Sequence, residues 1–198
     1  ACNTASSYAL EALNRRLDIP VVGVIEPAAK AAVAMSPHGR IGVLGTLGTV
    51  GSRAYPEAID LLAVGASVIS RACPLFVPLI EEGWLHHPVL RQIAAEYLIE
   101  MKAASLESVI LGCTHYPLIA PLIQDLLGPE VRLVDSGAEA ARATATLLSE
   151  RGQLASGPPR HHFFLSDERI HFQRIAESFL GRALPTTTIV DQTDMPWF

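Results

Sequence analysis

Charge is scarce in this sequence. Only 18% of its 198 residues are Asp, Glu, Lys or Arg, and their balance is −5. A nucleic-acid surface normally shows a basic excess, so no nucleic-acid partner is expected. Cysteine is scarcer still, with three residues, Cys2, Cys73 and Cys113. An odd, scattered set excludes a disulfide framework. None of the three forms a C-x-x-C pair, so no zinc site is expected, and no other metal site suggests itself. Apolar runs fall short of the ~18 residues of a membrane span. No charged-then-apolar leader opens the chain. The expected location is therefore cytoplasmic, with no membrane partner. Methionine is missing from position 1, where Ala1 stands directly before Cys2. An organised domain seldom begins inside a motif, so further residues are expected ahead of Ala1.

What is present is apolar: 49% of the residues are hydrophobic. The length can bury a core in one or two domains. Short β-rich runs at 21–25, 41–44, 67–70, 108–111, 131–134 and 162–165 read as strands. Several are apolar throughout, as strands covered on both faces are. Helical stretches fill the gaps. Between 89 and 101 the apolar residues Val89, Leu90, Ile93, Ala94, Tyr97, Leu98 and Met101 recur at helical spacing. Pro88 stands where a first-turn proline is tolerated. Phe172, Ile175, Ala176, Phe179 and Leu180 form a second stripe, opened by Ser166 or Asp167 and closed by Gly181. The alternation predicts an α/β fold with parallel sheets and right-handed crossovers. Residues 153–160 are the best candidate for a surface connection.

Two segments carry the chemistry. One is Ala1-Cys2-Asn3-Thr4-Ala5-Ser6; the other is Gly112-Cys113-Thr114-His115-Tyr116-Pro117. The second follows the apolar run Val109-Ile110-Leu111 and precedes a helical stretch at 118–127. Cys113 should therefore sit on a strand-to-helix turn, at the carboxyl edge of a parallel sheet, where open α/β folds bind ligands. Cys2 precedes a comparable helical stretch at 7–17. Amides at helix starts hold anions and lower a thiol's pKa. Two thiols on opposing walls of a cleft suit inversion of a stereocentre, one taking a proton from Cα and the other returning one to the opposite face. His115, two residues after Cys113, is a candidate partner for its thiol. No cofactor motif accompanies them.

The motifs A-C-N-T-A-S and L-G-C-T-H-Y-P-L resemble the two signatures of the glutamate racemases, within the cofactor-independent aspartate/glutamate racemase family. Val24-Ile25-Glu26-Pro27-Ala28, Ile41-Gly42-Val43-Leu44-Gly45-Thr46 and Cys73-Pro74-Leu75-Phe76-Val77-Pro78-Leu79-Ile80-Glu81 also look like family segments in their usual order. The resemblance implies that Cys2 and Cys113 are the paired catalytic bases, acting on D- and L-glutamate respectively. It implies that His115 assists its thiol and that Asn3, Thr4, Thr114 and His115 bind substrate. Thr46 and Thr49 would be further contacts at the pocket edge. It further implies two pseudo-symmetric α/β domains with helices on both sheet faces and the active site at their interface. Residues 26–135 would form one complete domain, and 1–25 with 136–198 the remainder of the other. The activity implied needs no cofactor, takes glutamate as its small-molecule substrate and supplies D-glutamate for peptidoglycan, with a homodimer as the expected assembly. The family's opening strand, with its Asp-Ser-Gly motif, and a later Pro-Tyr-Gly turn have no counterpart here. Asp135-Ser136-Gly137 looks like the former but follows a different strand, and reads as a strand end with a helix N-cap.

Alternatives differ in what they predict. Another racemase of the superfamily, such as one for aspartate, would share the two cysteines. A non-catalytic amino-acid-binding domain would bind without solvent exchange at Cα. A thiol hydrolase would leave the second motif unexplained. The Gly45–Ser52 stretch lacks a G-K-[ST] ending and does not read as a phosphate loop. Cys73 reads as a core cysteine. The pairs His86-His87 and His161-His162 diverge and suggest no metal.

Overall fold

Residues 2–166, 172–184 and 187–190 are described by the computed structural model. Its centre is a parallel sheet of four strands: β1 (Arg40–Gly45), β2 (Ser67–Ala72), β3 (Ser108–Gly112) and β4 (Arg132–Asp135). They lie in the order β2-β1-β3-β4. Val43 pairs with Ser70 on one side and Ile110 on the other, and Ile110 pairs in turn with Val134.

Alternation along these strands sends side chains to two separate cores. Leu44, Val109 and Leu111 face one layer, with Phe76 and Ile80 of α5 (Phe76–Glu81), Leu90, Ala94 and Leu98 of α6 (Pro88–Ala103), and Ile123 of α7 (Ala120–Leu127). Ile41, Val43, Ile110 and Val134 face the other, with α2 (Ile25–Met35), Ile59 of α4 (Ala54–Leu62) and Ala140 of α8 (Ser136–Glu150). Ala28, Ala29 and Ala32 are fully buried, and their small side chains let α2 lie close over the sheet. Helices thus cover both faces, as the apolar strands require. Burying each Ile or Leu here is worth about 1.5–3 kcal/mol.

Helix α1 (Asn3–Arg16) seats its first turns on α3 (Leu47–Gly51). The Tyr8 hydroxyl donates to the Gly48 carbonyl at 3.1 Å, and a side chain at Gly48 would meet Thr4 Cγ2 at 2.9 Å. At the opposite, amino edge of the sheet, Glu107 accepts from the backbone N–H groups of His38 and Arg40 and pairs with His38 Nδ1 at 2.6 Å. Burial opposes ionisation of this carboxyl. The bonds from the His38 side chain and from the Arg40 and His38 backbones, with the Arg40 charge, nevertheless hold its pKa below the ordinary value.

Residues 2–80 and 84–154 make one compact unit. A smaller unit contains 81–83 and the described part of 155–198. In it, strands β5 (Phe163–Leu165) and β6 (Thr187–Ile189) pair in parallel, with α9 (Phe172–Leu180) between them in sequence.

The predicted strands at 41–44, 67–70, 108–111, 131–134 and 162–165 correspond to β1 through β5 in turn, within a residue or two at their ends. The run at 21–25 does not form a strand. A strand needs a ladder partner, and none exists for it among the described residues. Instead the Val24 N–H lies 3.5 Å from Ser6 Oγ, and α2 begins at Ile25. The stretch read as one helix from 118 opens as a 3-10 turn, Tyr116–Ile119, before α7. Gly181 closes α9 with φ +62°. Asp167, one of the two proposed openers, lies outside the described residues.

Candidate active site

Each strand of the sheet hands the residue after its last to the same edge: Thr46 after β1, Cys73 after β2, Cys113 after β3 and Ser136 after β4. In this order the connections leaving β1 and β3 diverge to opposite faces. The carboxyl edge between those strands is therefore the switch point where such sheets form a crevice.

Cys2 comes to that crevice from α1. It is the N-cap, extended at φ −116° and ψ 125°, and its Sγ accepts from the Ala5 N–H at 3.5 Å. Sulfur at this position takes the place of the usual Ser or Asp oxygen. The residue is exposed, whereas Cys113 is 6% exposed. Cys113 Sγ lies 3.8 Å from His115 Nδ1, and Thr114 Oγ1 lies 3.5 Å from the same nitrogen. The turn carrying them is anchored from below. The Tyr116 hydroxyl donates to the carbonyls of Gly45 and Cys73, both at 3.1 Å. Burial, followed by the neighbouring thiols of Cys73 and Cys113, pushes this phenol far above its usual pKa and keeps it a donor.

A cavity of about 180 Å³ lies between the two turns, with Cys2 and Cys113 both in its wall. At about 30 Å³ per water, it has the size for one small molecule. Asn3, Thr4, Thr46, Thr114 and His115 also line it, and Val77 supplies an apolar patch. Thr49 does not reach the lining; it stands behind it, 1% exposed. Its hydroxyl meets those of Thr4 and Thr46, both at 3.1 Å, and those two meet each other at 2.9 Å. The three form a closed triangle of hydroxyls. Thr46 also caps α3, accepting from the Thr49 N–H at 3.1 Å.

Asn3 is 2% exposed and is bonded at both ends of its amide. Its Oδ1 accepts from the Tyr55 hydroxyl at 2.5 Å, and its Nδ2 donates to Ser136 Oγ at 3.1 Å. Ser136 in turn donates to the Leu111 carbonyl at 2.9 Å. Tyr55, Tyr116 and Ser136 were not legible as site residues. Tyr55 lies in no motif. In Asp135-Ser136-Gly137 the N-cap reading describes Asp135, which accepts from Gly137 and Ala138, but not Ser136, which turns inward. Cys73 is wholly buried, and burial pushes its thiol up to about 12, so it stays protonated beside the site.

A doubly wound sheet whose switch-point crevice is lined by two thiols, hydroxyls and an amide, with no Lys or Arg among the described residues of its wall, defines a small-molecule site. The sequence pattern of Asp/Glu/Hydantoin racemases matches residues 1–144. A glutamate racemase from Geobacter metallireducens is 49% identical over 187 residues, covering 93% of this chain and 69% of that protein. The crystal structure of a glutamate racemase isoform from Bacillus anthracis superposes with TM-score 0.91 at 37% identity, covering 96% of this chain and 72% of that one. A Francisella tularensis glutamate racemase in complex with D-glutamate superposes with TM-score 0.88 at 31% identity, over 96% and 71% of the two chains. The chain belongs to the Asp/Glu/Hydantoin racemase family.

Proposed function

We propose that this protein interconverts L- and D-glutamate by two-base proton transfer between Cys2 and Cys113, supplying D-glutamate for peptidoglycan. The observation that carries the reading is the presence of both sulfurs in the wall of one small cavity. One enters the cycle as thiolate and removes the proton from Cα. The other enters as thiol and gives its proton to the opposite face of the carbanion. The product leaves with inverted configuration, and the two sulfurs have exchanged protonation states. No redox change and no external acid is needed. Cys2 takes the proton of D-glutamate and Cys113 that of L-glutamate. His115, beside Cys113, assists that thiol's proton exchange. Asn3, Thr4, Thr46 and Thr114 bind the substrate's polar groups, Thr49 supporting the first two threonines from behind.

The choice of glutamate is supported by the relatives, which carry that name at up to 49% identity among those compared. We further read 26–135 as one domain, since all four strands of the main sheet fall inside it, and 1–25 with 136–198 as part of the other. No helix among the described residues is long and apolar enough to cross a membrane. We assign the enzyme to the cytoplasm and, from the resemblance, to a homodimer, which sedimentation would test.

Incubating L-glutamate with the full-length protein in deuterated water should yield D-glutamate carrying one deuterium at Cα. Cys2→Ser and Cys113→Ser should each abolish racemisation. Full activity in either variant would overturn the assignment, and binding without any solvent label would reduce the protein to a receptor.

A further inference from the structure

The two thiol-bearing turns come from distant parts of the chain, yet both are tied to the same pair of buried side chains. Tyr55 touches each turn. Its hydroxyl holds Asn3, the residue after Cys2, at 2.5 Å. Its ring edge lies against Gly112, the residue before Cys113. A Cβ built at Gly112 would stand 3.1 Å from Tyr55 Cε2 and 2.6 Å from the Leu44 carbonyl oxygen. Only glycine allows this approach, because the Leu44 backbone cannot retreat from its own sheet. Ser136 makes a second tie, receiving the Asn3 amide and bonding the carbonyl of Leu111, two residues before Cys113. Tyr55 is 1% exposed and Ser136 2% exposed, so water does not compete for these bonds.

The residue ahead of Tyr55 by two, Arg53, adopts φ 59° and ψ 8°. A left-handed arginine is strained, and strain of this kind persists where the surrounding structure fixes it. Here it turns the chain sharply between α3 and α4, and Tyr55 sits in the first turn of α4.

We propose that Tyr55 and Ser136 are positioning residues that set the separation and mutual aim of the Cys2 and Cys113 turns through Asn3. Racemisation by two bases is unusually demanding of this separation, because both sulfurs must reach one carbon from opposite faces. A misplacement of about 1 Å can cost on the order of 100-fold in rate. The inference rests on the two-thiol reading above.

The test uses Tyr55→Phe and Ser136→Ala in the full-length protein, below each variant's melting temperature, with Cys2→Ser and Cys113→Ser run alongside. Tyr55→Phe keeps the ring against Gly112 and removes the hydroxyl's contacts with Asn3 and Ser136. Each positioning variant should lower kcat by about 10- to 100-fold in both directions. The primary isotope effect with α-deuterated glutamate should rise, because proton transfer becomes slower relative to the other steps. The double variant should lose less than the product of the two single losses, since both ties act through one amide. If kcat and the isotope effect stay unchanged while only the melting temperature drops, the pair is merely structural and the inference fails. If KM alone rises, Asn3 is only a binding contact and the inference also fails. In both of those cases inactive cysteine variants leave the two-thiol reading standing. An active cysteine variant overturns that reading and this inference together.

Discussion

A thiol becomes a useful base only where a substrate and a proton-exchange partner can reach it, and the three cysteines differ in this respect. Cys2 has a helix start behind it and solvent before it; Cys113 has His115; Cys73 has neither and is sealed in the core. We predict that brief iodoacetamide treatment near neutral pH alkylates Cys2 first and leaves Cys73 unmodified until the protein unfolds, with glutamate slowing the reaction at Cys2. Peptide mass mapping reads this directly. The raised Cys73 pKa also has a thermodynamic sign. The folded protein holds this proton from the ordinary value of 9.0 up to about 12, while an unfolded chain releases it. Stability from this group is therefore intact below pH 9 and is lost as pH rises through that window. In Cys73→Ala, denaturant midpoints should fall less steeply between pH 9 and 10 than in the parent, whatever the offset from the lost packing. His115→Asn should slow turnover by about 10²- to 10⁴-fold, the usual contribution of a positioned acid–base group. The thiols and their neighbours were legible because their chemistry is local in sequence. Tyr55 was not, because its importance lies in touching two turns that only folding brings together.

Elements were legible where their signals are local. Pro88 opens α6 after His87, whose Nδ1 accepts from the Val89 N–H at 3.2 Å, and short apolar runs marked β1 and β3 within a residue of their ends. The run at 21–25 misled because β-branched composition reports an extended preference and says nothing about a partner. Asp135 caps α8 through Oδ1 bonds of 2.8 and 3.1 Å. Asp135→Ala should cost about 1 kcal/mol of stability, measured by urea denaturation. At the sheet's amino edge, Glu107 bonds His38 and Arg40 most strongly as a carboxylate. Because its pKa is depressed, its contribution is present above the ordinary value of 4.5 and is lost as pH falls through the folded value. Glu107→Gln should lower the melting temperature at pH 7 and show a shallower further loss on acidification below pH 4.5.

For the molecule as a whole, the informative fact is that two cores share one thin sheet. Residues on its central strands support both layers, so damage there should be global. Ile110→Ala, at a fully buried site, should destabilise by about 2–5 kcal/mol, and the amides of Val43, Leu44 and 109–111 should be the slowest to exchange. The alternation of strand runs with helical stretches made the α/β class legible. The strand order was not, since the choice of β1 and β3 as neighbours depends on which helices fold over which face.

The threonine triangle has a consequence for what the crevice can receive. Thr46 donates to the Thr49 hydroxyl, so the circuit runs from Thr46 to Thr49, on to Thr4 and back to Thr46. Every hydrogen is then used inside the circuit, and Thr46 also accepts from the Thr49 N–H. Of the two lining hydroxyls, Thr4 therefore keeps a lone pair for a positively charged nitrogen, while a negatively charged oxygen gains a hydrogen only where the Thr4–Thr46 link opens. Such a rim tells the two ends of a zwitterion apart, receiving the positive end with its circuit intact and the negative end at the cost of one internal link.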